Sequence, residues 1–225
     1  MTGVLIASYI FGSVGRQDHD ALSDLDILAV VEDGAGLVKE AVVLASVPAD
    51  YRHLEPSISW YGAERLEQMF NNGELFAWHL HDQAKPLFDP DKFLSRMGLP
   101  GVYTEAEHDI ASFLTILEGI PDALDKEPLN AAFEAGLLFV CLRNIGMAAS
   151  AVLNDTADFS RYSCLRLSGV SPCPLSAAKF DVLMQARMAS QRGLAPPIEA
   201  SDQWVREALF EVQPWLDEVL EKVTT

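Results

Sequence analysis

The hydrophobic pattern of the chain changes near residue 100. Before that point, short apolar runs such as 4–11 and 25–31 end at glycine, serine or acidic residues, which is typical of buried strands bounded by turns. From Tyr103 onward, apolar residues recur at helical spacing and strand-like runs are absent. The pattern predicts an α+β protein, in which a sheet domain with flanking helices is followed by an all-α helical bundle.

The helical part is predicted to contain helices separated by segments with proline, at about 105–119, 129–153, 175–191 and 202–223. The second of them is expected to bury a stripe made of Phe133, Leu137, Val140, Cys141, Asn144 and Ala148. The last is expected to bury Trp204, Leu209, Val212, Trp215, Leu216, Val219 and Leu220, with a kink at Pro214. Glycine and proline at 98–101 weaken regular structure, so the domains are predicted at 1–95 and 103–225.

The most informative chemistry lies around the first two strands. Gly12 and Ser13 end the first apolar run, and Asp24 and Asp26 flank the start of the second. Because residues i and i+2 of a strand point to the same face, the two carboxylates are expected to project together. Mg²⁺ is usually held by one or two carboxylates together with substrate phosphates. A glycine lets a phosphate approach the backbone, and a serine that opens a helix offers it a hydroxyl. The pattern therefore predicts half of a metal site beside half of a nucleotide site.

Gly12-Ser13, ten further residues and Asp24-Leu25-Asp26 with apolar flanks resemble the signature of the polymerase-β-type nucleotidyltransferases. Within that superfamily, the chain is most similar to the minimal and the aminoglycoside nucleotidyltransferases. The resemblance covers roughly residues 4 to 90. It implies a mixed β-sheet catalytic domain, Mg²⁺ bound by the two aspartates, and a nucleoside triphosphate, ATP by resemblance, bound at the Gly-Ser turn.

Further site residues follow from the same resemblance. Arg16 and Ser23 stand where the family often has a basic residue and a serine, and both are implied to bind the nucleotide. Glu55 resembles the acid with which the aminoglycoside enzymes accept the proton of the attacking hydroxyl. Because Pro56 cannot donate to a sheet ladder, Glu55 is expected at a strand start or an edge.

The register of that third strand leaves an alternative open. If it shifts by two residues, Ser57 or Ser59 takes the position of the third acid, and a catalytic base is missing. Arg52 and Lys85 are candidate phosphate partners, with a solvated cation as the other interpretation of each.

The charge balance narrows the class of partner. Thirty-three acidic and 16 basic side chains give a net charge of −17, without a cluster of lysine and arginine. This argues against nucleic acid, which is bound largely through basic residues. Acidity favours a cationic small-molecule acceptor or a protein partner, although solubility explains the charge equally well. Glu134 is a candidate to hold a cationic acceptor, and a solvated helix acid is the other interpretation.

Location and oligomeric state rest on weaker signals. No apolar run approaches the roughly 18 residues that cross a bilayer, and the N-terminus lacks signal-peptide features, which predicts a cytoplasmic protein without a membrane partner. The three cysteines have no Cys-x-x-Cys spacing, so neither a disulfide framework nor a zinc site is predicted.

His79 and His81 are expected to lie on one helix with their side chains pointing in different directions. A homodimer is one way to cover the sheet face that a short N-terminal segment leaves bare.

The resemblance implies transfer of a nucleoside monophosphate, AMP from Mg-ATP, to a hydroxyl of a small acceptor such as an aminoglycoside-like cation, with release of pyrophosphate. Two alternatives stay open: an antitoxin-like enzyme that AMPylates a protein, and a catalytically impaired nucleotide-binding or interaction module. The ribonuclease that accompanies minimal nucleotidyltransferases has a histidine a few residues after an arginine. No histidine follows Arg143, which speaks against ribonuclease activity.

Overall fold

A computed structural model of the protein describes residues 3–21, 23–34 and 36–225. The chain divides into two compact units, a first unit of residues 1–104 and a second unit of residues 105–225. All the described strands lie in the first unit, and the second unit is helical. The protein is therefore α+β, as the hydrophobic pattern predicts.

The first unit is built on a mixed sheet. Its described strands are β1 (Leu5–Ile10), β2 (Leu25–Val31), β3 (Pro56–Gly62) and β4 (Lys85–Phe88). They lie in the order β3-β2-β1-β4, with β1 antiparallel to both neighbours and β2 parallel to β3. β2 has the bounds of the apolar run that predicts it. β3 begins at Pro56 on the edge of the sheet, where a proline is tolerated.

Helices cover both faces of this sheet. They are α1 (Gly12–Arg16), α2 (Glu40–Leu44), α3 (Ala63–Asn72), α4 (Leu75–Gln83) and α5 (Phe93–Met97), with a 3₁₀ turn at Ala49–Tyr51. On one face, called the α3–α5 face, Leu28 and Val30 of β2 pack with Leu66 and Leu80. On the other, called the α2 face, Leu25, Ile27 and Ala29 of the same strand pack with Val14 and Val43. Successive side chains of β2 therefore point to opposite faces of the sheet and pack against different helices.

The second unit contains α6 (Ala106–Glu118), α7 (Ile120–Lys126), α8 (Ala131–Leu153), α9 (Ala177–Arg192) and α10 (Asp202–Val223), with 3₁₀ turns at Pro128–Asn130 and Ser163–Arg166. α6, α8, α9 and α10 correspond to the predicted helices. α7 was not predicted, because Pro121 was expected to interrupt helical structure. Pro121 instead lies in the first turn of α7, where the missing N–H costs no helical hydrogen bond.

α8 is the central helix of this unit and packs against α6, α9 and α10. Two glycines allow close approach. A Cβ on Gly136 would lie 2.8 Å from Cα of Arg187 in α9, and one on Gly146 would lie 2.3 Å from the backbone nitrogen of Cys164. α8 is therefore held against a helix on one side and a 3₁₀ turn on another.

The stripe predicted for α8 is wrong in part. Phe133 is 51% exposed, while Leu138, Leu142 and Ile145, outside the predicted stripe, are fully buried. The physical reason is that α8 is apolar on nearly all sides and packs in several directions, so spacing alone cannot locate its buried face. In α10, which has a polar side, the predicted burial is confirmed for Leu209, Val212, Trp215, Leu216 and Val219.

The apolar character of α8 also bears on the prediction that no segment of the chain crosses a membrane. Among the described residues, one helical segment, Pro128–Leu153, is long and apolar enough to cross a membrane by length and composition alone. Most of its apolar stretch is buried inside the protein, which is the behaviour of a core helix in a soluble protein.

Glu134, in the first turn of α8, is buried rather than solvated: it is only 5% exposed, and burial raises the pKa of its carboxyl group. A carboxyl with a raised pKa in the folded state binds its proton more tightly there than in the unfolded chain. Its ionisation therefore costs stability, and this cost grows as the pH rises through the unfolded value of about 4.3.

Glu134→Gln is accordingly expected to raise the free energy of unfolding at pH 7 and to raise it much less at pH 4. Urea denaturation at the two pH values measures the difference. Glu107→Gln is the matched control, since Glu107 is also in the first turn of a helix but is exposed. Equal effects of Glu134→Gln at both pH values would contradict the assignment.

Candidate functional site

The acid pair lies at the start of the central strand β2. Asp26 is the second residue of β2, and Asp24 immediately precedes the strand. Leu25 and Ile27 are buried on the α2 face, so by alternation Asp24 and Asp26 project from the α3–α5 face. Both aspartates are half-buried. The strand thus places two carboxylates on one face of the sheet, at one end.

Asp26 is in contact with the Gly-Ser turn. Gly12 has a φ of +64°, in the left-handed region that favours glycine. A Cβ on Gly12 would lie 2.3 Å from Oδ2 of Asp26, so the carboxylate rests against the glycine backbone. The N–H of Phe11 also donates to the backbone oxygen of Asp26 at 3.1 Å. The two parts of the sequence motif are therefore in contact, and the positive φ at position 12 favours glycine.

The short helix α1 carries two further predicted site residues. Ser13 is half-buried in its first turn. Arg16, in the last turn, donates from Nε to Asp18 at 3.0 Å and from Nη1 to Oε1 of Gln83 at 3.0 Å. These bonds attach the turn to α4, so Arg16 supports the shape of the turn that carries Ser13.

Ser23, which resemblance assigns to the nucleotide, is buried just before the acid pair. Its hydroxyl donates to Oδ1 of Asp20 at 2.9 Å and accepts from the N–H of Asp20 at 3.0 Å. Leu22, within the same motif, lies outside the described residues. The contacts of Ser23 stabilise the turn that leads into β2.

The register between β2 and β3 decides where Glu55 lies. Asp26 is directly opposite Ser57, and the N–H of Leu25 donates to the backbone oxygen of Glu55 at 2.9 Å. This bond extends the ladder by one residue and sets Glu55 beside Asp24. Glu55 is exposed. An acid therefore flanks one aspartate and a serine flanks the other.

The described residues contain no group of three or more His, Cys, Asp and Glu side chains arranged to hold a metal ion. Glu55 accordingly does not complete a three-acid cluster with the aspartates in this structure. Two carboxylates are nevertheless enough for Mg²⁺ when phosphate oxygens supply the remaining ligands. The oxygen-only donor set of Asp24 and Asp26 fits such a hard cation.

An aromatic cluster packs behind the Gly-Ser turn. The ring of Phe11 lies 5.4 Å from that of His79 and 5.6 Å from that of Phe76, between ring centroids. His79 is buried in this cluster, whereas His81 is exposed and bonds to Asp82 at 2.9 Å. The two histidines diverge as expected. The cluster was not expected from the sequence, because Phe11 is far in sequence from Phe76 and His79 of α4. These contacts hold Phe11, the residue before Gly12, in place.

The candidate phosphate partners lie apart from the acid pair. Lys85 pairs with Ile10 in the sheet and so shares the α2 face, opposite to the aspartates. Arg52 is exposed after the 3₁₀ turn, and its Nε donates to the backbone oxygen of Val47 at 3.2 Å. Neither cation is placed at the face from which the carboxylates project.

Two cavities in the first unit have volumes of about 470 and 340 Å³. The larger is lined by residues of α3 and α5 that include Glu67 and Arg96. The smaller lies near Tyr9 and Asp89. Neither of these two cavities is lined by Asp24 or Asp26.

These features define the class of the protein as an α+β protein with an acid pair resting on a Gly-Ser turn at one end of a mixed sheet. No known protein-family model matches the chain, and no curated protein matches it.

Proposed function

We propose that the first unit is a polymerase-β-type nucleotidyltransferase domain, which transfers a nucleoside monophosphate, AMP from Mg-ATP, to a hydroxyl group with release of pyrophosphate. The observation that supports this proposal is the contact between Asp26 and Gly12. It joins a carboxylate suited to a divalent cation to the Gly-Ser turn, at a residue whose positive φ favours glycine.

The proposed roles follow from these positions. Asp24 and Asp26 would hold Mg²⁺, while Ser13 and backbone N–H groups of the Gly-Ser turn would receive the phosphates. When bound, Mg²⁺ supplies positive charge against the phosphate oxygens. The protein's own contribution is positioning, which is most of what phosphoryl-transfer enzymes provide. Asp26 is suited to that task, because β2 is bonded to a neighbouring strand on each side.

Glu55 is proposed to accept the proton of the attacking hydroxyl. It lies beside Asp24 and is exposed, as a residue that meets an incoming acceptor must be. Removing a general base typically costs about 10²- to 10⁴-fold in rate.

Glu55→Gln is therefore expected to lower the rate of transfer by about 100-fold while leaving nucleotide affinity unchanged. Pyrophosphate release and calorimetric affinity are measured side by side. Ser57→Ala, at the neighbouring β3 position opposite Asp26, serves as the control and should retain transfer. Full activity of Glu55→Gln would remove Glu55 from the mechanism.

The acceptor is proposed to be a small cationic molecule in the cytoplasm, because the net charge of −17 attracts cations. A polypeptide acceptor is the alternative. An acceptor screen with radiolabelled ATP separates them, since labelled product appears either in the small-molecule fraction or on protein.

A second candidate function is a nucleotide-binding module without transfer activity. Two observations favour it: Ser57, rather than an acid, lies opposite Asp26, and the described residues form no three-acid group. Such a module would bind the nucleotide in the same place but would not catalyse nucleotidyl transfer.

The test of a donor site is a calorimetric titration of the intact protein with a non-hydrolysable ATP analogue, with and without Mg²⁺. The expected result is binding that requires Mg²⁺ and is lost in the Asp24→Asn/Asp26→Asn double variant. Binding without any transfer would favour the module. The absence of binding in the wild-type protein would refute both functions.

A further inference from the structure

The larger cavity of the first unit carries opposite charges on its two walls. Its volume of about 470 Å³ is within the range of roughly 300–1,000 Å³ that is typical of small-molecule sites. Each wall is one helix, which lines the cavity with residues at positions i, i+3 and i+4, on a single helical face. These residues are Glu67, Phe70 and Asn71 of α3 and Phe93, Arg96 and Met97 of α5.

The lining has an apolar part and a polar part. Phe70 and Phe93 are buried, and Met97 packs against the same core on the α3–α5 face. Glu67 and Arg96 are exposed, and so is the third polar lining residue of the cavity. The cavity therefore combines an apolar side that belongs to the core with a charged side that is open to solvent.

The two charges do not neutralise each other. Among the described residues, Glu67 and Arg96 form no ion pair with each other or with another charged side chain. Elsewhere on α3 the charges are paired, since Nη1 of Arg65 lies 2.6 Å from Oε1 of Glu74. A ligand that carries both a positive and a negative group can therefore pair with both walls at once.

Both walls are anchored to the rest of the first unit. At the start of α5, Asp89 accepts hydrogen bonds from the N–H of Phe93 at 2.8 Å and from the O–H of Tyr9 at 2.5 Å. Near the end of α3, the backbone oxygen of Phe70 accepts from the N–H of Gly101 at 2.7 Å. Walls that are fixed before a ligand arrives favour binding, because less freedom is lost when the ligand binds.

We propose that the cavity between α3 and α5 binds a free amino acid with an apolar side chain. The carboxylate of the ligand pairs with the guanidinium of Arg96, which can donate two parallel hydrogen bonds to it. The ammonium group pairs with the carboxylate of Glu67, and the amide oxygen of Asn71 is a further acceptor. The apolar side chain of the ligand packs on Phe70 and Phe93.

This site is independent of the function proposed for the acid pair. Neither Asp24 nor Asp26 lines the cavity. Binding of the amino acid needs neither Mg²⁺ nor a nucleotide, so the two proposals can fail separately.

The test is calorimetric titration of the intact protein, without nucleotide, with L-phenylalanine and L-leucine as probes. Three analogues each lack one part of the ligand: L-phenylalaninamide lacks the carboxylate, 3-phenylpropanoate lacks the ammonium group, and glycine lacks the apolar side chain. L-phenylalanine is expected to bind at least about tenfold more tightly than each analogue, because every analogue leaves one part of the cavity without its partner.

Variants of the two charged residues locate the binding site. Glu67→Gln and Arg96→Gln are each expected to weaken the binding of L-phenylalanine at least about tenfold. Glu64→Gln and Lys92→Gln are the matched controls, since both residues are exposed on or beside the same helices but do not line the cavity. The controls should bind L-phenylalanine with the wild-type affinity, and circular dichroism establishes that all four variants are folded.

Several results would overturn the proposal. The first is the absence of binding by both probes. The second is binding of L-phenylalaninamide or 3-phenylpropanoate as tightly as of L-phenylalanine, which would show that the ligand need not carry both charges. The third is unchanged affinity in Glu67→Gln or in Arg96→Gln, or an equal loss of affinity in the controls, which would place the bound amino acid elsewhere.

Discussion

Asp26→Asn is expected to lower nucleotidyl transfer by at least about 100-fold and to remove the Mg²⁺ dependence of nucleotide binding. The side chain keeps its size and its place against Gly12, so the fold is retained while one of the two carboxylates proposed to hold the cation loses its charge. An amide oxygen is a weaker ligand for a hard cation than a carboxylate. A loss of 100-fold corresponds to about 2.7 kcal/mol of transition-state stabilisation.

Two measurements make this result interpretable. Pyrophosphate release in an acceptor screen reports transfer, and calorimetry with a non-hydrolysable analogue reports binding even before an acceptor is known. Asp91→Asn, which neutralises an exposed acid in the turn after β4, is the charge control and should change neither quantity. Activity of Asp26→Asn within a few-fold of wild type would contradict the role given to the acid pair.

Gly12→Ala is expected to have the second large effect, on stability and on nucleotide binding together. The new Cβ would be placed 2.3 Å from Oδ2 of Asp26 at a φ of +64°. Either the turn or the carboxylate must move, and strain of this kind costs about 1 to 3 kcal/mol. Displacing either of them separates the two parts of the proposed site, so analogue affinity should fall at least about tenfold, or 1.4 kcal/mol.

Gly34→Ala supplies the matched control for strain. Gly34 also has a positive φ, +71°, but a Cβ there would meet no atom within 4 Å. It should cost stability through backbone conformation alone and leave nucleotide affinity unchanged. Thermal unfolding and calorimetry of both variants separate strain from the contact with Asp26. If the two variants lost affinity equally, the contact would have no special role in binding.

The parts of the fold that the sequence predicts are those where local signals agree. β2 can be predicted because an apolar run between acids and turn residues is interpreted only as a buried strand. The buried face of α10 can be predicted because polar residues occupy its other side. α8 lacks that contrast, so Phe133 was expected to be buried and Leu138 was not expected in the stripe. The burial of Glu134 could not be predicted for the same reason, since nothing next to it in sequence shows how many helices surround α8.

The candidate site shows the same division. The acid pair and the turn could be recognised from spacing, because alternation in a strand is a local property. The position of Glu55 could not, since it depends on the register between β2 and β3, which the sequence left open.

The edge position of β3 has a consequence for how the proposed activity could be gained or lost. Asp26 belongs to β2, which is bonded to a strand on each side, and Asp24 immediately precedes it. Glu55 immediately precedes β3, which is bonded to β2 alone among the described strands. Changes at the edge therefore disturb less of the sheet than changes at its centre. Under the proposed function, nucleotide binding and transfer therefore depend on strands with different numbers of bonded neighbours. A single substitution at Glu55 is expected to abolish the proposed transfer while leaving the proposed nucleotide binding and the fold in place.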